Sequence, residues 1–383
     1  MNDATRWWIA GAVLGLCLVF GILIDTRMED TASAADSSAR ASVEEATTRD
    51  DAAVGPDAIR AQLQDAGYIE VPENVVMTLS TLEKIHDYPV YTMRYSGPYL
   101  RASELQTVPD ADGEAVLIES DWACSLFAAV GEAAQATLGR NFDWEYSPLL
   151  VLFLEPEDGY RSVMSIDIAY LIDEAVIAGL DSAAAEDLLP LLSAPFLTFD
   201  GMNEMGVAIG MASVDYDCGY PRDADKRDVG DLRLMREVLE ASASVDEALA
   251  FLEGVNPVSQ SGPNTHYLVA DPASAALVEY HDGEMVVFRS GEETPWQLGT
   301  NFPVCRTDGD PLGHCWRYDL IETTLRENGG VLSVAEAADL LQTVSTTMTQ
   351  WSIVYDLAAL EMHLIVERDA ERALTFSLKE DAE

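Results

Sequence analysis

A cysteine, an arginine and an aspartate stand at a spacing that chemistry can use. Cys124 is followed sixteen residues on by Arg140 and nineteen on by Asp143, between Ala123-Cys124-Ser125-Leu126-Phe127 and Leu138-Gly139-Arg140-Asn141-Phe142-Asp143-Trp144. Cysteine is a nucleophile only as thiolate, so it needs a cation to hold the anion and a base to take the proton. Arg140 and Asp143 suit that environment. If Cys124 becomes the first residue of a chain cut after Ala123, its own amine is the base. An α-amino group titrates near about pH 8, far closer to neutrality than a lysine amine, so one residue carries nucleophile and base together. No catalytic histidine is then required.

Four further segments follow in order. They are Asp200-Gly201-Met202-Asn203-Glu204-Met205-Gly206-Val207, then Pro263-Asn264-Thr265-His266-Tyr267-Leu268-Val269-Ala270-Asp271, then Thr300-Asn301-Phe302 with Cys315-Trp316-Arg317-Tyr318, and Thr349-Gln350-Trp351-Ser352-Ile353-Val354-Tyr355-Asp356. With the cysteine segment they make five ordered blocks between about 122 and 366. Together they resemble the cysteine branch of the N-terminal nucleophile hydrolases, the linear amide C–N hydrolases, which include choloylglycine hydrolase, penicillin V acylase, isopenicillin N acyltransferase and acid ceramidase.

The resemblance implies an α+β fold, the four-layer αββα sandwich, with Cys124 opening the first strand of one sheet. It implies Cys124 as nucleophile after self-cleavage at Ala123-Cys124, Arg140 and Arg317 around the thiolate, and Asp143 positioning the amine. Asn203 and Asn264 would be the oxyanion donors. The reaction expected is hydrolysis of a linear, non-peptide amide through an acyl-enzyme, with no cofactor and no metal. The partner is a small-molecule amide with an apolar acyl group, for which Phe142, Trp144, Tyr146, Phe196 and Phe199 are candidate lining. Acyl transfer from the same intermediate, or an inactive binding protein on this fold, are the alternatives. Pro303 and Met205 depart from the family pattern and bear on pocket shape.

Each residue alone has a plainer explanation. A cysteine in an apolar run is most often a small buried hydrophobe, an Arg and Asp three apart a weak surface pair, and Asn beside Gly or Pro a turn residue. Five blocks in family order outweigh these. A papain-like pairing of Cys124 with His266 has a permissible chain order but lacks the local cysteine signature. The remaining histidines, His86, His281, His314 and His363, show no metal-ligand spacing.

Of the 383 residues, 67 are Asp or Glu against 22 Lys or Arg, a net charge of −45, and only Lys84, Lys226 and Lys379 are lysine. Such a surface repels itself until salt shortens the Debye length to about 3 Å at 1 M. We read this as the pattern of a halophilic protein, with an ordinary acidic secreted protein as the alternative, and either way the field opposes nucleic acid as a partner, since phosphate contacts need basic patches.

Residues 1–24 hold an apolar run, Trp7 to Ile24, long enough to span a bilayer. We read it as a signal anchor, or a signal sequence, that places the remainder outside the cytoplasm as a membrane-bound or secreted protein. Residues 25–56 are an acidic tether too poor in apolar residues to order itself. Residues 57–123 form a prosegment, with a helix at 58–67 and strand-like alternation from Val75 to Tyr99, that stays bound as a small subunit or is lost on cleavage. Residues 124–383 are the catalytic domain.

Within that domain, strands are expected near 125–130, 149–154, 162–168, 207–211, 267–270, 276–280 and 285–289. Helices are expected over 173–180 and 183–192, 232–240, 244–252 and 333–343. The last two open with Ser244…Glu247 and Ser333…Glu336, the signature of capping boxes. Among Cys218, Cys305 and Cys315, the latter two are the more plausible disulfide pair in an oxidising compartment.

Overall fold

The computed structural model describes residues 54–99, 123–172, 174–217, 219–259 and 264–379. The apolar run 7–24, most of the tether and Cys218 lie outside them. Among the described residues no helix is long and apolar enough to cross a membrane.

The strands in chain order are β1 (Glu83–His86), β2 (Val90–Ser96), β3 (Ala123–Ala129), β4 (Thr137–Asp143), β5 (Leu149–Glu155) and β6 (Ser162–Asp167). There follow β7 (Asp200–Asn203), β8 (Ala208–Val214), β9 (Arg227–Gly230), β10 (Val255–Val258), β11 (Asn264–Asp271) and β12 (Ser274–His281). The last are β13 (Glu284–Arg289), β14 (Trp296–Gly299), β15 (Thr349–Asp356), β16 (Glu361–Val366) and β17 (Leu374–Ser377). The main helices are α1 (Pro56–Asp65), α2 (Glu73–Ser80), α3 (Asp231–Ala241), α4 (Val245–Glu253), α5 (Trp316–Glu327) and α6 (Val334–Thr343).

Two sheets form. One runs β1-β2-β5-β6-β7-β8-β11-β12-β13 and the other β14-β3-β4-β15-β16-β17, while β9 and β10 pair separately. The sheets face each other where β3 meets β8 and β11, and where β14 meets β11 and β12. Helices α2, α3 and α4 cover the outside of the first sheet, and α5 and α6 the outside of the second. The architecture is an α+β sandwich of four layers, helix, sheet, sheet, helix.

Strand alternation sorts the residues of β3 between its two faces. Cys124, Leu126 and Ala128 join the core between the sheets, while Phe127 and Ala129 join the core under α5 and α6 with Ile321, Leu325 and Leu341. Strand β5, apolar at six consecutive buried positions, is covered on both faces and so needs no alternation.

Residues 54–99, which fall largely in the expected prosegment, are part of this fold. β2 pairs with β5 in parallel from Val90↔Leu149 to Ser96↔Glu155, and the Tyr88 hydroxyl donates to the Ser147 carbonyl at 2.6 Å. The alternation expected from Val75 gives way to helix over its first part, because Val75, Val76 and Leu79 recur at helical spacing and are buried in α2. The expected helices at 173–180 and 183–192 shrink to single turns, with Leu189–Phe196 a 3-10 stretch that carries Pro195 inside it.

Ser333 and Glu336 form the complete capping box of α6. At α4 the Ser244 hydroxyl accepts the Glu247 N–H at 3.3 Å, but the Glu247 carboxylate takes the Ala243 N–H instead of that of Ser244. Cys315 is a free thiol, so the more plausible disulfide pairing, Cys305 with Cys315, is not formed.

Gly139 has no room for a side chain, since a Cβ there would stand 2.4 Å from the Phe127 ring. Gly139→Ala is expected to lower stability by about 1–3 kcal/mol, measured as a shift in the denaturant midpoint at constant slope. An unshifted midpoint would mean that the ring moves freely.

Candidate active site

The hairpin of β3 and β4 sets the site. Its register pairs Ala123 with Asp143, Cys124 with Phe142, Ser125 with Asn141 and Leu126 with Arg140. Arg140 is therefore diagonal to Cys124 on the same face, and its Nη2 lies 3.7 Å from the Cys124 Sγ. The thiol is 2 % exposed.

Arg140 crosses the gap between the sheets. Its guanidinium forms an ion pair with Asp200 of β7, and its Nε donates to the Met211 carbonyl of β8 at 3.3 Å. The Tyr355 hydroxyl of β15 donates to the other Asp200 oxygen. All three side chains are fully enclosed. Burial works against the charge on Arg140, yet the Asp200 carboxylate outweighs it and holds the guanidinium above its ordinary pKa.

A second arginine enters from the helical layer. Arg317, near the start of α5, donates from Nη1 to the Cys124 carbonyl at 2.5 Å and to the Ser125 hydroxyl at 2.9 Å. Its Nη2 donates to Asn301 Oδ1 at 2.8 Å. The same Asn301 oxygen accepts the Cys124 backbone N–H at 2.8 Å. The Asn301 amide nitrogen donates to the Ser213 carbonyl at 2.9 Å and hydroxyl at 3.1 Å.

Asp143 completes the group. One of its oxygens accepts the Thr349 hydroxyl at 2.5 Å; the other lies 3.6 Å from Arg317 Nη1, is buried, and has no hydrogen-bond partner among the described residues. Desolvation raises its pKa despite the Thr349 bond and both arginines. Burial likewise pushes the Cys124 thiol up; Arg140 opposes this and Asp143 adds to it.

The structure thus brings together Cys124, Arg140, Asp143 and Arg317, and commits the Asn203 side chain elsewhere. Asn203 spends its amide nitrogen on the Leu239 and Ser242 carbonyls, both at 2.7 Å, and its oxygen on the Met205 and Val207 N–H groups at 3.0 Å. It locks the turn that Gly206 closes at φ +79° and has no donor left for an oxyanion. Asn264, half-buried at the start of β11 opposite Val214, makes no side-chain hydrogen bond to any described residue of the site. Asn301 is the asparagine whose side chain contacts Cys124.

Asp200, Ser213, Thr349 and Tyr355 are further members that the sequence reading did not single out. Asp200, Asn301, Thr349 and Tyr355 lie inside quoted segments, so the signal was present. His266 gives Nδ1 to Glu279 at 3.0 Å, not to Cys124. Among the described residues no three His, Cys, Asp or Glu side chains are placed to hold a metal ion.

Of the candidate lining residues, Phe142 stacks on Trp351 at 4.2 Å and meets the edge of Phe199 at 5.4 Å, beneath the nucleophile. Tyr146 is exposed and edge-on to Tyr88, and Phe196 sits under the Arg236 guanidinium. A cleft of about 710 Å³ bordered by Trp296, Leu298, Val304 and Leu312 includes none of the site residues.

Residues 124–301 match the linear amide C–N hydrolases, choloylglycine hydrolase family, a match that begins at Cys124 and ends at Asn301. A sequence comparison with curated proteins finds no significant match. Similar solved structures include a mutant of the conjugated bile acid hydrolase from Clostridium perfringens, with 16% identity over 67% of this chain and 92% of that one at a TM-score of 0.49. Penicillin V acylase from Agrobacterium tumefaciens has 19% identity over 64% and 83%, at a TM-score of 0.43. The Caenorhabditis elegans N-acylethanolamine-hydrolyzing acid amidase ortholog has 14% identity over 61% and 93%, at 0.42. Over residues 124–301 the chain is thus similar to the linear amide C–N hydrolases, choloylglycine hydrolase family.

Proposed function

We propose that Cys124, released as an N-terminal residue by self-cleavage of the Ala123–Cys124 bond, is the nucleophile of this linear amide hydrolase. The observation that carries this is the pair of contacts at one residue: the Cys124 N–H on Asn301 Oδ1 at 2.8 Å and its Sγ at 3.7 Å from Arg140. In maturation Sγ adds to the Ala123 carbonyl, the Cys124 nitrogen leaves with a proton while held by Asn301, and water hydrolyses the thioester. The unpartnered Asp143 oxygen, on the residue paired with Ala123, is the place for the new ammonium.

In turnover the α-amine takes the thiol proton, the thiolate attacks the substrate carbonyl, and the amine returns the proton to the departing nitrogen. Water then resolves the acyl-enzyme. Asn301, whose oxygen accepts the Cys124 N–H and whose amide nitrogen is held by Ser213, positions the α-amine, while Asn264 remains the amide proposed to meet the oxyanion, an interaction worth about 3 kcal/mol per donor in other enzymes. The aromatic cluster of Phe142, Phe199 and Trp351 supports an apolar acyl group. The strand pairing of β2 with β5 supports retention of the prosegment as a small subunit. The apolar run at 7–24 supports an anchor on that subunit, with the catalytic domain outside the cytoplasm, and the net charge of −45 supports a salt-dependent fold.

Intact mass and N-terminal sequencing of the chain are expected to show a fragment beginning at Cys124, co-purifying with its prosegment, and acting on acyl amides. Cys124→Ala is expected to stay whole and inactive. A wild-type chain that stays whole while folded would remove self-activation, and separation of the fragments under native conditions would remove retention.

The upward shift of the thiol in the uncut chain means that little thiolate exists at neutral pH before cleavage. Brief iodoacetamide treatment of a partly matured sample at about pH 7 is expected to label Cys124 in cut chains only. Equal labelling of both forms would show that the amine contributes nothing.

Raising NaCl from about 0.1 to about 2 M is expected to raise the thermal midpoint, because screening removes the surface repulsion. A midpoint that falls or stays level would remove the halophilic reading.

A further inference from the structure

Asn301 lies on a short connection between β14 and the 3-10 turn Val304–Arg306, and both ends of that connection are gripped by one buried pair. Glu279 of β12 is 2 % exposed. Its carboxylate accepts the Val304 N–H at 2.8 Å, the Cys305 N–H at 2.7 Å and His266 Nδ1 at 3.0 Å. Burial alone would raise its pKa, but His266 and the two backbone donors hold it below the usual carboxylate range.

At the other end, the His266 ring lies against Gly299, where a Cβ would stand 3.1 Å from both Cε1 and Nε2. That Nε2 is buried and has no hydrogen-bond partner among the described residues. His266 pairs across the sheet with Ala212, and its neighbour Thr265 with Ser213, the residue that holds the Asn301 amide. Glu279 and His266 therefore reach the segment 299–305 from the opposite sheet, at both sides of Asn301, without touching Cys124.

We propose that the Glu279–His266 pair positions Asn301, and through it the Cys124 nitrogen, for both self-cleavage and turnover. The inference rests on the role given to Asn301 above. A side chain in the core between the sheets has no other evident need for charge, and an apolar pair of the same volume would fold as well or better. The backbone it captures is the stretch that carries Asn301.

The test is the rate at which the Cys124 N-terminus appears during synchronised cell-free synthesis of the full chain, read beside the thermal midpoint. Glu279→Ala is expected to slow cleavage roughly 10- to 100-fold, the scale of loss for a small misplacement of a reacting group. Glu279→Gln, which keeps an acceptor for one of the two backbone donors and sets an NH2 group against the other, is expected to recover only part of the rate. In an Asn301→Ala background, Glu279→Ala is expected to add no further slowing, because the two act on one step.

Losses that simply add in the double variant, or a wild-type rate in Glu279→Ala, overturn the proposal and leave the nucleophile reading intact. If Glu279→Ala does not fold, Glu279→Gln and His266→Gln carry the same comparison, and wild-type rates in both overturn it. A wild-type chain that never cleaves, or an Asn301→Ala chain that cleaves at the wild-type rate, defeats the underlying reading and this inference with it.

Discussion

A guanidinium sealed between two sheets is the constraint around which this site is built. Arg140 is out of reach of water, and a lone buried cation would cost several kcal/mol or more. Asp200 from the opposite sheet neutralises it, and Tyr355 holds Asp200. That solution has a consequence for the thiol. Because Arg140 is already paired, its help to a Cys124 thiolate falls short of the desolvation cost, which is why the thiol is pushed up instead of down. Formally Arg140 and Arg317 balance Asp143 and Asp200. A thiolate would leave this buried set one negative charge in excess. The cleavage proposed for Ala123–Cys124 puts an α-amine on Cys124 that takes the thiol proton and stands as an ammonium beside the thiolate, while the matching carboxylate goes to Ala123, so maturation supplies the base where the thiol needs it.

The spacing of sixteen and nineteen residues has a geometric cause in the hairpin. Seven-residue strands on either side of a short connection bring Cys124 opposite Phe142. The diagonal neighbour on the same face is then Arg140, and the residue opposite Ala123 is Asp143. Alternation does the sorting: Cys124 and Arg140 look toward the other sheet, while Ser125 looks toward the helices and meets Arg317. A slip of register by a single residue would face every one of these groups the wrong way. The core on both faces of β3 opposes such a slip, with Leu126 and Ala128 on one side and Phe127 and Ala129 on the other.

This is also why the cysteine, the first arginine and the aspartate were legible in the sequence and Asn301 was not. The first three belong to one local hairpin, whose register is written in the chain. Which asparagine approaches Cys124 is decided by packing of β14 on β3, a pairing of residues about 170 positions apart. Asn203 sits in a motif with a glycine turn, and from sequence alone a turn-locking asparagine and an oxyanion donor look the same. Helix α5 was missed because Cys315 at its N-cap gives no side-chain cap and Gly, Pro and Asp crowd the approach. Helix α2 was read as strand because Val75 and Val76 are β-branched; burial at helical spacing overrode their preference. The sandwich itself followed from the family blocks and could not have been counted from short apolar runs.

The place of β2 bears on what cleavage can do. It sits inside the larger sheet, between β1 and β5, with Val90, Tyr91, Met93 and Tyr95 buried. Cutting the bond before Cys124 removes no hydrogen bond of that ladder and exposes none of those side chains, so the contacts that hold the prosegment are the same before and after. What the cut changes is entropy: two chains are tied only by their interface, and dissociation would open a nine-stranded sheet between its second and third strands. That is a large apolar surface to return to water, at about 25 cal/mol for each Å². On the proposed maturation, then, the fold and the covalent link are independent. A membrane anchor carried on the first fragment would hold the catalytic fragment through the prosegment's packing, with β2 at its centre.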